Sequence, residues 1–276
     1  MKQRIIIACV FVPLLFIIVF FLPSYVFAAV VAIICAVCAY ELQSAIGGKK
    51  NDRISIYAVL ASVLIPIGAY FDLGELVFMA VLLILMCLMF AETIIAFGTI
   101  RKITFAQILT TLFGGAVIPF LLSSLVSLKN MPEGRLFVLL PVISAFITDG
   151  GAYFTGVFLG KRKAFPRVSP KKTVEGCIGG LAIGTLAMII YGVVLVMTTF
   201  HGVVFWALLL YGVVGAVLTE LGDLAFSLVK REFEIKDYGR ILPGHGGMLD
   251  RFDSMVFTAP AMYLLLSVIP AITVRS

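Results

Sequence analysis

The chain has 276 residues, of which 62% are hydrophobic and 13% charged, and its mean hydropathy is +1.14. A soluble domain has roughly half apolar and a quarter charged residues, so this composition excludes an ordinary soluble protein and indicates a membrane protein. The net charge of +6 does not indicate a nucleic-acid partner, because basic residues beside an anionic cytoplasmic leaflet account for the surplus.

Runs of roughly 20 apolar residues, the length that crosses a hydrocarbon core about 30 Å thick, recur along the whole chain. They predict an all-α polytopic integral membrane protein with about nine transmembrane helices in a single membrane domain, residues 1–276. The predicted spans are 5–22, 25–45, 54–71, 76–97, 103–126, 136–158, 177–198, 203–228 and 254–272. The first is interpreted as a span because its apolar run is longer than that of a signal peptide.

The Lys and Arg residues predict the orientation, since short cytoplasmic loops are the basic ones. With a cytoplasmic N-terminus and an external C-terminus, 18 of the 21 basic residues fall on the cytoplasmic side, together with the polar loops 159–176 and 229–253. Residues 1–135 are predicted to form a scaffold. Residues 136–276 are predicted to hold the catalytic helices and loops, because the side chains suited to chemistry gather there.

Two acids of the first half fall in predicted spans, where ionisable side chains are costly. Glu41 lies near the cytoplasmic end of its span, which favours a solvated position at the interface. Glu92 lies deeper without a nearby buried base, so a functional and a structural role both stay open. Cys35 and Cys38 form a CxxC pattern, but inside an unbroken apolar helix this favours two small buried residues over a metal or redox site.

The cytoplasmic end of the eighth span, TELGDLAFSLVKR, carries a polar stripe. Glu220, Asp223, Ser227 and Lys230 recur at spacings of three and four, which places them on one face of a helix, and Arg231 follows. A carboxylate at this depth is stabilised by facing a cation. The alternative is a structural ion pair between Asp223 and Lys230 or a neighbour.

The next loop, KDYGRILPGHGGMLDRFDS, combines a glycine turn with acids and bases. Such turns can offer backbone N–H groups to phosphate oxygens. Asp250 and Asp253 share a helix face if the ninth helix begins by Leu249, and hard carboxylate oxygens suit Mg²⁺. The preceding cytoplasmic loop contains Asp149 and a cluster of phosphate-binding candidates, Lys161, Lys171, Lys172 and Thr173.

Metal-binding carboxylates beside phosphate-binding cations are typical of phosphoryl or nucleotidyl transfer. A transporter or ion channel is the alternative from another class, but it predicts acids spread along several helices. A CTP-using lipid kinase and a CDP-alcohol phosphotransferase are alternative enzymes, and DGGAYF lacks the arginine of the DGxxAR pattern expected of the latter.

The stretch SLVKREFEIKDYGRILPGHGGMLDRFD, residues 227–253, resembles the signature of phosphatidate cytidylyltransferases, also called CDP-diacylglycerol synthases. VSPKKTVEG and the LGDL around Asp223 are also similar to family motifs, so the resemblance covers roughly the C-terminal half. Gly150 and Val157 depart from the family, which often has a small hydroxyl residue and a basic residue at these positions. A hydroxyl or basic contact is therefore not expected there.

The resemblance implies that the phosphate of phosphatidic acid attacks the α-phosphorus of CTP, with Mg²⁺ required and a second cation left open. It further implies a multi-pass enzyme of the inner cell membrane, acting at the cytoplasmic face in phospholipid biosynthesis, and a homodimer. Asp223, Asp250 and Asp253 are expected to hold the metal and, with Lys230 and Arg231, to be catalytic. The expected substrate-binding residues are Asp149, Ser169, Lys171, Lys172, Thr173, Ser227, Lys236, Asp237, His245, Gly246, Gly247 and Arg251. For His245, a phosphate contact and a structural hydrogen bond both stay open.

Overall fold

A computed structural model of the protein describes residues 16–46, 52–99, 102–199, 202–241 and 246–273. Helices dominate these residues, which confirms the predicted helical membrane protein in outline. Within the described ranges, seven helical stretches are long and apolar enough to cross a membrane. The chain forms two compact units, which are described separately below.

The first unit comprises Met1–Asn130 and Phe233–Arg251. Its helices are α1 (Ser24–Ile46), α2 (Asp52–Tyr70), α3 (Gly74–Ala96), α4 (Phe105–Leu112) and α5 (Ile118–Asn130), with a π-helical turn, Phe113–Val117, between the last two. Thr104 and Gln107 form a capping box that starts α4. At the π-helical turn, a side chain on Gly115 would run into the backbone of Ala58, so glycine allows α2 to approach closely.

The core of the first unit lies among α2, α3 and the π-helical turn. Ile65, Leu85 and Ala116 are buried there, and Phe78 stacks on Phe120 with ring centroids 4.1 Å apart. Leucine, isoleucine and phenylalanine side chains of this kind fill the space between close-packed helices. The result is a helical bundle, as the apolar spans predict.

The second unit comprises Met131–Glu232 and Phe252–Ser276. Its helices are α6 (Gly134–Phe137), α7 (Leu139–Leu159), α8 (Val174–Thr198), α9 (Phe205–Glu232) and α10 (Leu249–Val268), the last of which begins with residues counted in the first unit. Small residues let α7, α8 and α9 pack closely: Gly151 faces Ile183, and Gly215 faces Ser144.

Four short strands accompany the helices of the second unit and were not predicted. β1 (Lys163–Phe165) and β2 (Ser169–Thr173) form an antiparallel hairpin, and β3 (Gly202–Val203) pairs with β4 (Ile272–Thr273). The hairpin is rich in charged residues, so its sequence lacks the alternation of apolar and polar residues that would predict strands. The described part of the chain is therefore mostly helical and not all-α as predicted.

The predicted count of about nine spans is not confirmed. The span at 5–22 lies mostly outside the described residues. The span at 254–272 is helical as α10, but its polar first turns and Pro260 keep it below the hydropathy of the seven membrane-length helices. The single membrane domain with a division at residue 135 stays a prediction, as does the orientation of the termini.

Candidate active site

Helix α9 presents the polar stripe that its sequence predicts. Asp223 lies on it with 30% of its side chain exposed, and the Ser227 hydroxyl approaches Asp223 Oδ1 at 3.5 Å. Lys230, one turn later, is 8% exposed. The stripe therefore holds a carboxylate that is accessible enough to meet a ligand and still partly screened from solvent.

The cation that pairs with Asp223 comes from strand β2. Lys172 Nζ lies 2.8 Å from Asp223 Oδ2, and only 17% of the lysine side chain is exposed. Lys171, the residue before it on the strand, is exposed. Asp223 thus forms an ion pair with a residue of β2, whereas the alternative weighed from the sequence named Lys230 or a neighbour.

The pKa of Lys172 reflects three neighbouring carboxylates. Burial lowers the pKa of the ammonium, but the charge of Asp223 and its hydrogen bond, together with the charges of Glu220 and Asp149, outweigh burial and leave the pKa above its usual value. Lys172 is therefore a fixed positive charge at neutral pH.

Asp149, which acts on Lys172, is in turn connected to Asp253. The Ser254 hydroxyl donates to Asp149 Oδ2 at 3.4 Å, and the Ser254 amide donates to Asp253 Oδ1 at 2.7 Å. The Asp149 side chain is exposed, and the negative charges of Asp223 and Asp253 act on its carboxylate. We call Lys172, the three carboxylates that act on it (Asp149, Glu220 and Asp223) and Asp253 the Lys172 cluster.

The Lys172 cluster contains carboxylate oxygens, the donor type that suits a hard divalent cation. Asp149, Glu220 and Asp223 share the Lys172 ammonium, and the charge of Asp253 acts on Asp149. Carboxylates that repel one another in this way favour a further cation or protonation. Oε1 of Glu220 is buried and accepts no hydrogen bond from the described residues. Within those residues, no three His, Cys, Asp or Glu side chains stand close enough to hold a metal ion as they lie. The donor chemistry fits a hard divalent cation, and the ammonium currently occupies one face of Asp223.

The β1–β2 hairpin is held to the helices beside the cluster. Arg231 Nε donates to the Val168 carbonyl at 3.2 Å, so this arginine contacts the hairpin turn. Thr173 ends the strand and caps α8, where its hydroxyl accepts from the Gly176 amide at 3.1 Å. Ser169 pairs with Phe165 at the other end of the hairpin. Substrate contacts by these residues stay predictions.

The glycine loop, 233–251, belongs to the first unit, and its residues 242–245 lie outside the described part of the chain. Asp250 Oδ2 accepts from the amides of Tyr238 and Gly247, both at 2.9 Å, so this carboxylate organises the turn. Gly246 has φ +82°, a backbone conformation that favours glycine. Lys236, Asp237 and Arg251, the other predicted site residues here, are exposed.

The expectation for Glu41 is wrong. The structure shows Glu41 2% exposed, with its Oε2 accepting from the Leu249 amide at 2.9 Å. The position of a residue within its own helix gives no sign of a loop that folds over it from 208 residues away. Glu92, left open above, accepts a hydrogen bond from the Tyr57 hydroxyl at 2.9 Å, which favours the structural role.

The structure brings four predicted residues together, namely Asp149, Lys172, Asp223 and Asp253. Asp250, Gly246 and Gly247 gather separately in the glycine loop, and His245 lies outside the described residues. Sequence reasoning assigned no role in the site to Glu220 or Ser254. The spacing of Glu220 to Asp223 on one helix face was the available signal for the first. Ser254 had none, because its partner Asp149 is distant in sequence. Cys35 and Cys38 are both buried, the placement that the sequence favoured for them.

Comparison with known proteins identifies the family of the chain. A family model described as the cytidylyltransferase family matches residues 2–269. The chain belongs to the cytidylyltransferase family. The resemblance inferred from the C-terminal half is therefore confirmed, and the match extends into the first half, where no motif was visible.

Curated relatives in this family are named phosphatidate cytidylyltransferase. The protein of Bacillus subtilis (strain 168) is 37% identical over 194 residues, which are 70% of this chain and 68% of the relative. The protein of Staphylococcus saprophyticus is 42% identical over 138 residues, or 50% of this chain and 52% of the relative. That of Staphylococcus haemolyticus is 42% identical over 134 residues, or 49% and 50%. The chain thus aligns with about half the length of the staphylococcal relatives.

Proposed function

We propose that this chain is a phosphatidate cytidylyltransferase, a nucleotidyltransferase that converts CTP and phosphatidic acid into CDP-diacylglycerol and pyrophosphate. The observation that carries the proposal is the family match over residues 2–269, together with relatives that bear this name. The Lys172 cluster supports it, since carboxylates for a metal and a fixed cation for phosphate are what the reaction needs.

The reaction exchanges one phosphorus–oxygen bond for another. An oxygen of the phosphatidic acid phosphate forms a bond to the α-phosphorus of CTP, and the bond from that phosphorus to the bridging oxygen of the β-phosphate breaks. Pyrophosphate leaves with the electron pair. Because a phosphate monoester has a second pKa of about 6, the nucleophile is already anionic at neutral pH and needs no general base.

Mg²⁺ is the proposed cofactor, and Asp223 and Asp253 of the Lys172 cluster are the residues that would hold it. When bound, a divalent cation supplies charge neutralisation for the nucleotide phosphates. The assignment of Asp250 to the same ion stays a prediction, since in the structure this carboxylate accepts two hydrogen bonds within the glycine loop. A second cation is left open.

The side chains of the second unit have separate tasks in this proposal. Lys172 holds Asp223 in place and offers positive charge to a phosphate oxygen, and its position on β2 makes the charge a fixed feature of the site. The hydrogen bond from Ser254 to Asp149 joins α10 to α7. Phosphate contacts by Lys171, Lys230, Arg231, Lys236 and Arg251 are further predictions.

The location of the reaction follows from the two substrates. A diacyl lipid stays in the bilayer and CTP arrives from the cytoplasm, so we place the site at the cytoplasmic face of the cell membrane. The bias of Lys and Arg toward one side supports this orientation. A homodimer remains part of the proposal through the family resemblance alone.

Purified protein in detergent will convert labelled CTP and phosphatidic acid into CDP-diacylglycerol and release pyrophosphate. Diacylglycerol and a polyprenol in place of phosphatidic acid will give no labelled lipid, because neither carries the attacking phosphate. Thin-layer separation of the lipid product, with pyrophosphate measured in parallel, checks this. Labelled lipid formed from diacylglycerol or polyprenol would contradict the proposal, as would the absence of product from phosphatidic acid.

A further inference from the structure

Glu41 of α1 lies against the glycine loop of the first unit. Its Oε2 accepts from the Leu249 amide at 2.9 Å, and the Met248 amide also faces the carboxylate. Leu249 is the first residue of α10, so the carboxylate of one helix caps the start of another. An anion at this position is stabilised by the free N–H groups and the dipole of the helix.

The loop is shaped to receive this carboxylate. A Cβ added to Gly239 or to Gly247 would come closer to the Glu41 carboxyl group than real Cβ atoms do. The two glycines therefore let the loop backbone close over the side chain from both described arms of the turn. Asp250 ties the same arms together through the Tyr238 and Gly247 amides.

We propose that Glu41 is a positioning residue for nucleotidyl transfer: its carboxylate fixes the described arms of the glycine loop and the start of α10. The inference rests on the proposed function, since it assigns the loop to that reaction. The loop carries Asp237, Gly246, Gly247 and Asp250, all expected at the site, and α10 carries Asp253 one turn after Asp250. Helix α1, predicted to belong to a scaffold, thus contributes an anchor for the glycine loop.

The test compares loop order and turnover in Glu41→Ala, Glu41→Gln and the parent protein. Trypsin cuts after exposed Lys236 and Arg240 in the loop, and after exposed Lys163 and Arg167 in the hairpin of the second unit as an internal reference. In Glu41→Ala, cleavage of the loop should rise about tenfold or more, because a hydrogen bond to a charged group is lost. Hairpin cleavage should stay within about twofold of the parent. CDP-diacylglycerol formation should fall about tenfold or more.

Glu41→Gln provides conservative rescue. Its amide oxygen still accepts from Leu249 but carries no charge, so loop cleavage and turnover should lie between the parent and Glu41→Ala. Glu92→Gln is the matched control, since Glu92 is another acid in a membrane-length helix of the first unit and bonds only Tyr57 among the described contacts. It should change neither readout.

Gly239→Ala provides a second route to the same defect if Glu41→Ala does not fold. Its methyl group should displace the Glu41 carboxylate in the parent protein and should cost less when position 41 is alanine, because the space is then empty. Unchanged loop cleavage in Glu41→Ala overturns the proposal. So does faster cleavage with parental turnover, or additive effects of the two substitutions. An inactive parent protein would overturn the proposed function, while the cleavage comparison would still decide whether Glu41 anchors the loop.

Discussion

Asp223→Asn will lower CDP-diacylglycerol formation about 10²–10³-fold at saturating CTP and phosphatidic acid. The substitution keeps the shape of the side chain but removes the charge that faces Lys172 at 2.8 Å. It therefore removes a metal-binding oxygen anion and leaves the ammonium without its ion-pair partner, and an unpaired, partly buried charge is costly. Initial rates of labelled product formation measure the effect.

Glu232→Gln is the control for this substitution. Glu232 ends the same helix, is exposed, and lies outside the Lys172 cluster. Its turnover should match that of the parent protein, and both variants should elute as the parent does in size-exclusion chromatography. An Asp223→Asn enzyme that retains a third or more of parental turnover would remove Asp223 from the catalytic centre.

Lys172→Met will produce a loss of similar size, about 10²–10³-fold, for the opposite reason. Methionine keeps much of the apolar stem but removes the cation that Asp149, Glu220 and Asp223 share. Without this cation, the negative charge of the three carboxylates is no longer offset and repels the anionic substrates.

Since these carboxylates hold the pKa of Lys172 above its ordinary value of about 10.4, the parent enzyme should show no loss of turnover from deprotonation of Lys172 between about pH 6 and 9.

Lys163→Met separates this effect from a general loss of positive charge. Lys163 lies on β1 of the same hairpin and is exposed, and it takes no part in the cluster. It should retain parental turnover in the same assay. A Lys172→Met enzyme as active as Lys163→Met would show that Lys172 is one basic loop residue among many.

The helical stripe of α9 could be predicted because its information is local. The spacings from Asp223 to Ser227 and Lys230 define one face, whatever packs against it. The partner of Asp223 could not be predicted, since Lys172 reaches it through a hairpin whose strands are three and five residues long.

Glu41 and Ser254 also have partners that the sequence could not predict. Each looks unremarkable in its own segment, one at a helix end and the other after an acidic pair. Their roles come from partners far along the chain, Leu249 for Glu41 and Asp149 for Ser254. Apolar run length thus predicted a mostly helical membrane protein, whereas the partners of the acidic side chains depend on tertiary contacts that the sequence does not reveal.

A Mg²⁺ titration of CDP-diacylglycerol formation, begun in excess EDTA, tests most directly whether the Lys172 cluster works with a divalent cation. The parent enzyme should form no product in EDTA and should regain full turnover as Mg²⁺ is added. Asp253→Asn should need a higher Mg²⁺ concentration for half-maximal turnover, because one carboxylate ligand is lost. Parental turnover in EDTA, or an Asp253→Asn titration that overlays the parent curve, would contradict the account.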